Sequence, residues 1–109
     1  MLKSVCYAAD DTDVSAAVSS DVKCMVVGSQ LALAPDAGVR KRAGMLLMYY
    51  QGRLDGRATP YNLETLLATE ANKMTPAELQ AETRRCSDAL AVKAQEIIKI
   101  GEDLRKVGN

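Results

Sequence analysis

The sequence predicts an all-α protein, a small domain of four helices. Three observations lead to this prediction. Apolar residues recur at helical spacing along most of the chain. No segment alternates apolar and polar residues with the β-branched enrichment typical of strands. The 109 residues contain no Trp and no Phe, so the core has to be built from aliphatic, Met and Tyr side chains, a mixture that favours packed helices.

Residues 1–13, MLKSVCYAADDTD, precede the first predicted helix. Their basic start, small residues and acidic end are typical of the tail of a secretory signal peptide cleaved near Ala8 or Ala9. The apolar segment of about 7–15 residues that a signal peptide needs is missing. We therefore interpret residues 1–13 as a signal-peptide remnant or a disordered N-terminus, and residues 14–109 as a single helical domain.

The first two helices are predicted from apolar stripes. The first runs from Val14 to Ala34 and ends where Pro35 and Gly38 interrupt the pattern. The second runs from about Val39 to Leu54, and its Gly44 and Gly52 are placed where another helix could approach closely. Its middle is apolar on nearly all sides, with an inner face and a second apolar side. The inner face comprises Val39, Ala43, Leu46, Leu47, Tyr50 and Leu54, and the other side Met45, Met48 and Tyr49.

The last two helices follow a GRATP turn. A short helix is predicted from about Pro60 to Asn72. The segment TPAE then gives a strong helix start, because Thr75 can cap the helix, Pro76 fits its first position and Glu78 completes a capping box. This last helix is predicted to reach about Lys106. Its expected inner face comprises Leu79, Thr83, Cys86, Leu90, Ile97 and Leu104.

Composition excludes several classes of function. Basic and acidic residues number 14 each, so no net charge attracts nucleic acid, and no apolar segment is long enough to span a membrane. Histidine is absent, which removes the Ser-His-Asp and Cys-His nucleophiles and the usual zinc ligand sets. We expect no catalytic residues, no metal and no cofactor.

Cys24 and Cys86 each lie within the apolar pattern of a long helix. If the helices pack together, the pair forms either a disulfide or two buried thiols that act as small apolar side chains. The signal-remnant interpretation favours a disulfide, since disulfides persist outside the cytosol. We therefore expect one disulfide to link the four helices. Cys6 is left over, and signal cleavage would remove it.

The order of these features resembles a group of proteins. A Cys lies in the first helix (DVKCMVV), a helix with Tyr and Gly follows (LLMYYQGRLDG), and a capped last helix carries the second Cys (TPAELQAETRRCSDAL). Over about residues 20–107 this resembles uncharacterised small secreted proteins of alphaproteobacteria. More distantly it is similar to one-disulfide periplasmic helical proteins, the HdeA-type acid chaperones and immunity proteins. The resemblance implies a helical disulfide-linked scaffold in the periplasm, and no catalytic residues.

The expected function is therefore non-enzymatic recognition of a specific protein partner in the bacterial periplasm or outside the cell, or homodimer formation. The candidate interface lies on the second helix and comprises Met45, Met48, Tyr49, Arg53 and Asp55. An acid-stress chaperone is the alternative. A small-ligand protein or an enzyme that uses Tyr49, Tyr50 and Asp55 in a cleft is a further one.

Overall fold

The structure is a computed structural model that describes residues 2–57 and 60–108, with side chains from Ala16 onward. The described residues form four α-helices and no strand: α1 (Leu2–Leu31), α2 (Ala37–Arg57), α3 (Leu63–Lys73) and α4 (Pro76–Gly108). The all-α, four-helix prediction is therefore confirmed. α1 packs mainly against α2 and also contacts α3 and α4.

The helix boundaries have local causes. α1 begins at Leu2 rather than Val14, and the sequence holds no Pro or Gly before Gly28 that would interrupt it. Capping side chains mark the other starts. The Asp36 carboxylate accepts from the amide of Val39 (3.0 Å), and the Asn62 side chain accepts from the amide of Thr65 (2.9 Å). These caps supply acceptors that the first turn of a helix otherwise lacks.

The Thr75 and Pro76 parts of the cap predicted for the last helix are present, whereas the described residues show no hydrogen bond from the Thr75 amide to the Glu78 carboxylate that would complete the capping box. The Thr75 hydroxyl accepts a hydrogen bond from the amide of Glu78 (3.1 Å), and Pro76 is the first residue of α4. A proline fits there because the amide it lacks has no partner within the helix.

The core lies where α1, α2 and α4 meet. Cys24 and Cys86 form the predicted disulfide, with their Cα atoms 5.5 Å apart. Tyr50 donates a hydrogen bond from its hydroxyl to the carbonyl oxygen of Cys86 (3.2 Å), so α2 is also tied to α4 at this point. The buried apolar residues around the disulfide are Val22, Met25, Val27, Leu46, Tyr50 and Leu54.

Of these three glycines, the one that closely contacts a neighbouring helix is Gly28 of α1, not Gly44 or Gly52 of α2. A Cβ atom at Gly28 would lie 2.9 Å from two side-chain atoms of Leu47, whereas one at Gly44 or Gly52 would meet no atom within 4 Å. The expectation that the two α2 glycines admit a neighbouring helix is therefore wrong. They lie on the exposed side of α2.

The predicted inner face of α4 is correct only for its first half. Cys86 is buried and Leu90 half-buried, but Ile97 is 60% exposed and Leu104 65%. The physical reason is length. The 33 residues of α4 extend for about 50 Å, whereas the 21 residues of α2 cover about 30 Å. The apolar side of α4 continues past the end of the bundle.

Candidate functional site

An apolar groove of about 500 Å³ lies between α2 and the middle of α4. Leu31 at the end of α1 also contributes to it. Apart from Arg42, Thr83 and Ser87, its lining is apolar. The lining residues that the two long helices contribute include Val39, Met45, Leu46, Leu90, Ala91 and Ala94.

The exposed half of α4 extends this groove. Every residue from Gln95 to Gly108 is exposed. Ile97 and Leu104 follow Leu90 and Ala94 at the spacing that keeps residues on one side of a helix. Ile98, Ile100 and Val107 flank that line, with exposures of 53%, 50% and 84%. We call the groove and this side of α4 together the α4 surface.

The polar side of α4 carries charges that pair within the helix. Lys93 contacts Glu96 (2.9 Å), and Lys99 contacts Asp103 (3.1 Å). Between residues 93 and 108 the sequence has four basic and three acidic residues. This half of α4 is therefore an amphipathic helix with almost no net charge.

The five residues of the predicted interface do not lie together. Met45 lines the groove between α2 and α4. Met48 is 79% exposed, and it lines a separate, shallow depression between α2 and α3 together with Asp55. Asp55 accepts hydrogen bonds there from Gln51 (3.0 Å) and from the hydroxyl of Tyr61. Only Met45 of the five therefore belongs to the α4 surface.

The remaining two predicted residues join a cluster around a buried carboxylate. Asp21 of α1 is only 2% exposed and accepts hydrogen bonds from the Nε atoms of Arg53 (3.0 Å) and Arg57 (2.9 Å). The hydrogen bond to Asp21 raises the pKa of Arg53. The Arg53 guanidinium also lies 5.8 Å from the ring centre of Tyr49, within cation–π range. The cluster joins the end of α2 to α1, which is a stabilising role.

No common cleft brings together the side chains of Tyr49, Tyr50 and Asp55, because they interact with different partners. The ring of Tyr50 packs edge-on against that of Tyr49 at 4.8 Å, and its hydroxyl is bonded toward Cys86, whereas Asp55 is bonded to Tyr61. Burial raises the pKa of Tyr50, and the hydrogen bond to Asp55 raises that of Tyr61. Both shifts hold the phenols protonated at neutral pH, so neither is poised to act as a base.

A second buried carboxylate ties α3 to α1. Glu70 is 9% exposed and accepts a hydrogen bond from the Ser19 hydroxyl (2.7 Å). Among the residues with described side chains, no group of three Cys, Asp or Glu is placed to hold a metal ion.

Ile98, Ile100 and Val107 were not predicted from the sequence as residues of this surface. The available signal was the number of large apolar residues after Leu90, which is more than one core-facing stripe requires.

No helix in the described part of the chain is long and apolar enough to cross a bilayer. No family model, curated protein or solved structure matches this chain, so its likeness to HdeA-type and immunity proteins stays a prediction.

Proposed function

We propose that this chain is a non-enzymatic protein-binding domain that holds a helical segment of a protein partner on the α4 surface. One observation carries the proposal. Five large apolar residues after Ala94 are half or more exposed, and they continue a groove whose lining is mainly apolar. Continuous exposed apolar surface is typical of protein interaction sites.

The energetics favour an occupied surface. Burying one side chain of this size stabilises a protein by about 1.5–3 kcal/mol. Ile97 and Leu104 are held in place by a helix that is anchored at Cys86 and Leu90, so little ordering of the backbone opposes binding. A partner that covers both therefore gains binding free energy from a surface that is already formed.

Shape and charge indicate the chemistry of the partner. A mainly apolar groove that continues along an exposed helix is suited to another amphipathic helix, whose apolar residues recur every three or four positions. The near-zero charge of the exposed half of α4 gives no attraction for a strongly acidic or basic partner. We therefore propose a helical protein segment with an apolar face and little net charge.

The surface also supports a specific partner over an acid chaperone. An acid-activated chaperone keeps its apolar surface covered until its carboxylates are protonated. Here Ile97, Leu104 and Val107 are exposed while Asp21 keeps both of its arginine partners. We further propose an extracytoplasmic, periplasmic location, which the Cys24–Cys86 bond supports because such bonds persist in oxidising compartments.

The test is binding of a labelled amphipathic helical peptide with no net charge, followed by fluorescence anisotropy. We expect saturable binding that Met45→Glu and Ile97→Glu each weaken by about tenfold or more. Both residues are more than half exposed, so these variants should fold.

Val92→Glu is the matched control. Val92 is 68% exposed but follows Leu90 by two residues, which places it on the opposite side of α4. It should bind the peptide like the wild type. No saturable binding, or equal loss in all three variants, would overturn the proposed function.

A further inference from the structure

We infer that the segment held on the α4 surface belongs to a second copy of this chain, with the two α4 helices antiparallel about a twofold axis near Lys99. This inference rests on the proposed function, since it assigns the partner of the same surface. In this pair, the exposed half of α4 in each copy is both part of the binding surface and the segment that binds to the other copy.

Large and small residues alternate along the middle of this surface. Leu90, Ile97 and Leu104 are separated by seven residues each, and Ala94 and Gly101 lie between them. A Cβ atom at Gly101 would meet no atom within 4 Å, so in one copy the space above this glycine is open. Each large side chain is therefore next to a gap of the kind that a large side chain fills.

An antiparallel pair matches the two patterns. With the axis near Lys99, Ile97 lies opposite Gly101 of the second copy, and Leu104 lies opposite Ala94. A parallel pair would instead set Ile97 against Ile97 and Gly101 against Gly101, which leaves voids between the helices. Close packing of large against small residues favours the antiparallel arrangement.

The positions of Ile98 and Ile100 are consistent with the same twofold axis. Ile98 and Ile100 lie one residue on either side of Lys99, on the two edges of the apolar side, so each meets its own equivalent in the second copy. This accounts for an exposed apolar side that is broader than a two-residue stripe. Contacts between equivalent residues at the axis then occur once and all other contacts occur twice, as a twofold interface requires.

The groove receives the end of the partner helix. In this register Leu104 of one copy lies beside Ala94 of the other, which is a groove residue. The exposed end of α4 and the groove are therefore complementary in side-chain size at this point.

No like charges face each other in this pair. Lys93 and Arg105, the two charged residues at the edges of the apolar side, lie opposite Val107 and Ala91. The acidic residues lie on the outer side, where Glu96 and Asp103 are paired within their own helix. Charges on the two α4 helices therefore oppose neither the orientation nor the register.

Sedimentation equilibrium of the full chain tests the pairing. The wild type should show a monomer–dimer equilibrium that Ile97→Glu weakens by about tenfold or more, whereas Val92→Glu leaves it within about twofold. Circular dichroism should show equal helix content in all three. A wild type that stays monomeric up to millimolar concentration, or a dimer that Ile97→Glu does not weaken, would overturn the inference.

Distances between spin labels test the orientation. Labels would be placed at Lys99→Cys or Lys106→Cys, on the outer side of α4, in a Cys6→Ala background. In an antiparallel pair, the labels on the two copies are separated along the helix axis by almost nothing when they are at residue 99. When they are at residue 106, they are separated along the helix axis by about 20 Å. The measured distance should therefore be clearly longer at 106, and equal distances would overturn the antiparallel register.

The outcome separates this inference from the proposed function. A monomeric wild type that still binds the peptide probe would refute self-pairing and leave the protein-binding function intact. A chain that neither dimerises nor binds the probe would refute both.

Discussion

Gly28 of α1 faces Leu47 of α2 so closely that a Cβ atom at residue 28 would lie 2.9 Å from the Leu47 side chain. α1 and α2 share the most extensive contact between helices in the described chain, and Gly28 lies within it. The contact explains why a helix interior retains a glycine, which costs about 1 kcal/mol relative to alanine.

Gly28→Ala should therefore lower the free energy of unfolding, by about 1 kcal/mol after the gain in helix propensity is counted. Gly44→Ala is the matched control, because a methyl group there meets no atom within 4 Å. It should raise the free energy of unfolding by roughly 0.5–1 kcal/mol. Urea unfolding measures both, and a stabilising Gly28→Ala would show that the contact relaxes freely.

The disulfide should supply much of the stability of this small core. It joins residues 62 positions apart, which corresponds to about 4 kcal/mol in the chain-entropy model. A double Cys24→Ala, Cys86→Ala variant should melt on the order of 15–30 °C lower in calorimetry. Reduced wild type should melt close to the variant, and melting within a few degrees of the oxidised protein would contradict this role.

Removing the charge of the buried Asp21 carboxylate should weaken the contact between the end of α2 and α1. Asp21→Asn weakens the charged hydrogen bonds from Arg53 and Arg57, and it should cost about 2 kcal/mol of unfolding free energy because both arginines remain partly solvated. Asp55→Asn, at an exposed site, should cost less than about 1 kcal/mol. Equal costs in denaturant unfolding would show that burial of Asp21 has no energetic consequence.

Behaviour in acid distinguishes a dedicated binding domain from a general chaperone. The sequence has no histidine, so a pH switch would act at about pH 3–5, where Asp and Glu are neutralised. We expect the chain at about pH 3 to stay helical and disulfide-linked, and not to prevent aggregation of unrelated proteins. Light scattering of acid-stressed proteins is the measurement. Suppression at near-equimolar ratio, lost on reduction, would restore the chaperone hypothesis.

The sequence predicted the fold well because its signals are local. Thr75 and Pro76 define the start of α4, and helical periodicity marks the other elements. The places of Cys24 and Cys86 on apolar stripes indicated that the two could meet, the signal-remnant interpretation favoured a disulfide, and the disulfide was confirmed.

The site was harder to predict because periodicity identifies an apolar side without showing how much of it is covered. Ile97 follows Leu90 in the same stripe, yet only Leu90 is covered by the bundle, because α2 is much shorter than α4. Similarly, Met45 and Met48 are three residues apart but line different depressions. Which of the two faces a neighbouring helix depends on how the helices pack, and a single sequence does not give that information.

The central claim is that the exposed side of α4 is a protein-binding surface, and hydrogen exchange of residues 95–108 tests it most directly. In a monomer these amides belong to a helix that no described neighbour packs against, so they should exchange faster than the amides of the covered half of α4. The account predicts that exchange in the wild type slows as protein concentration rises or as the peptide probe is added, and that Ile97→Glu abolishes the slowing. Exchange in this segment that is independent of concentration, of probe and of Ile97→Glu would contradict it.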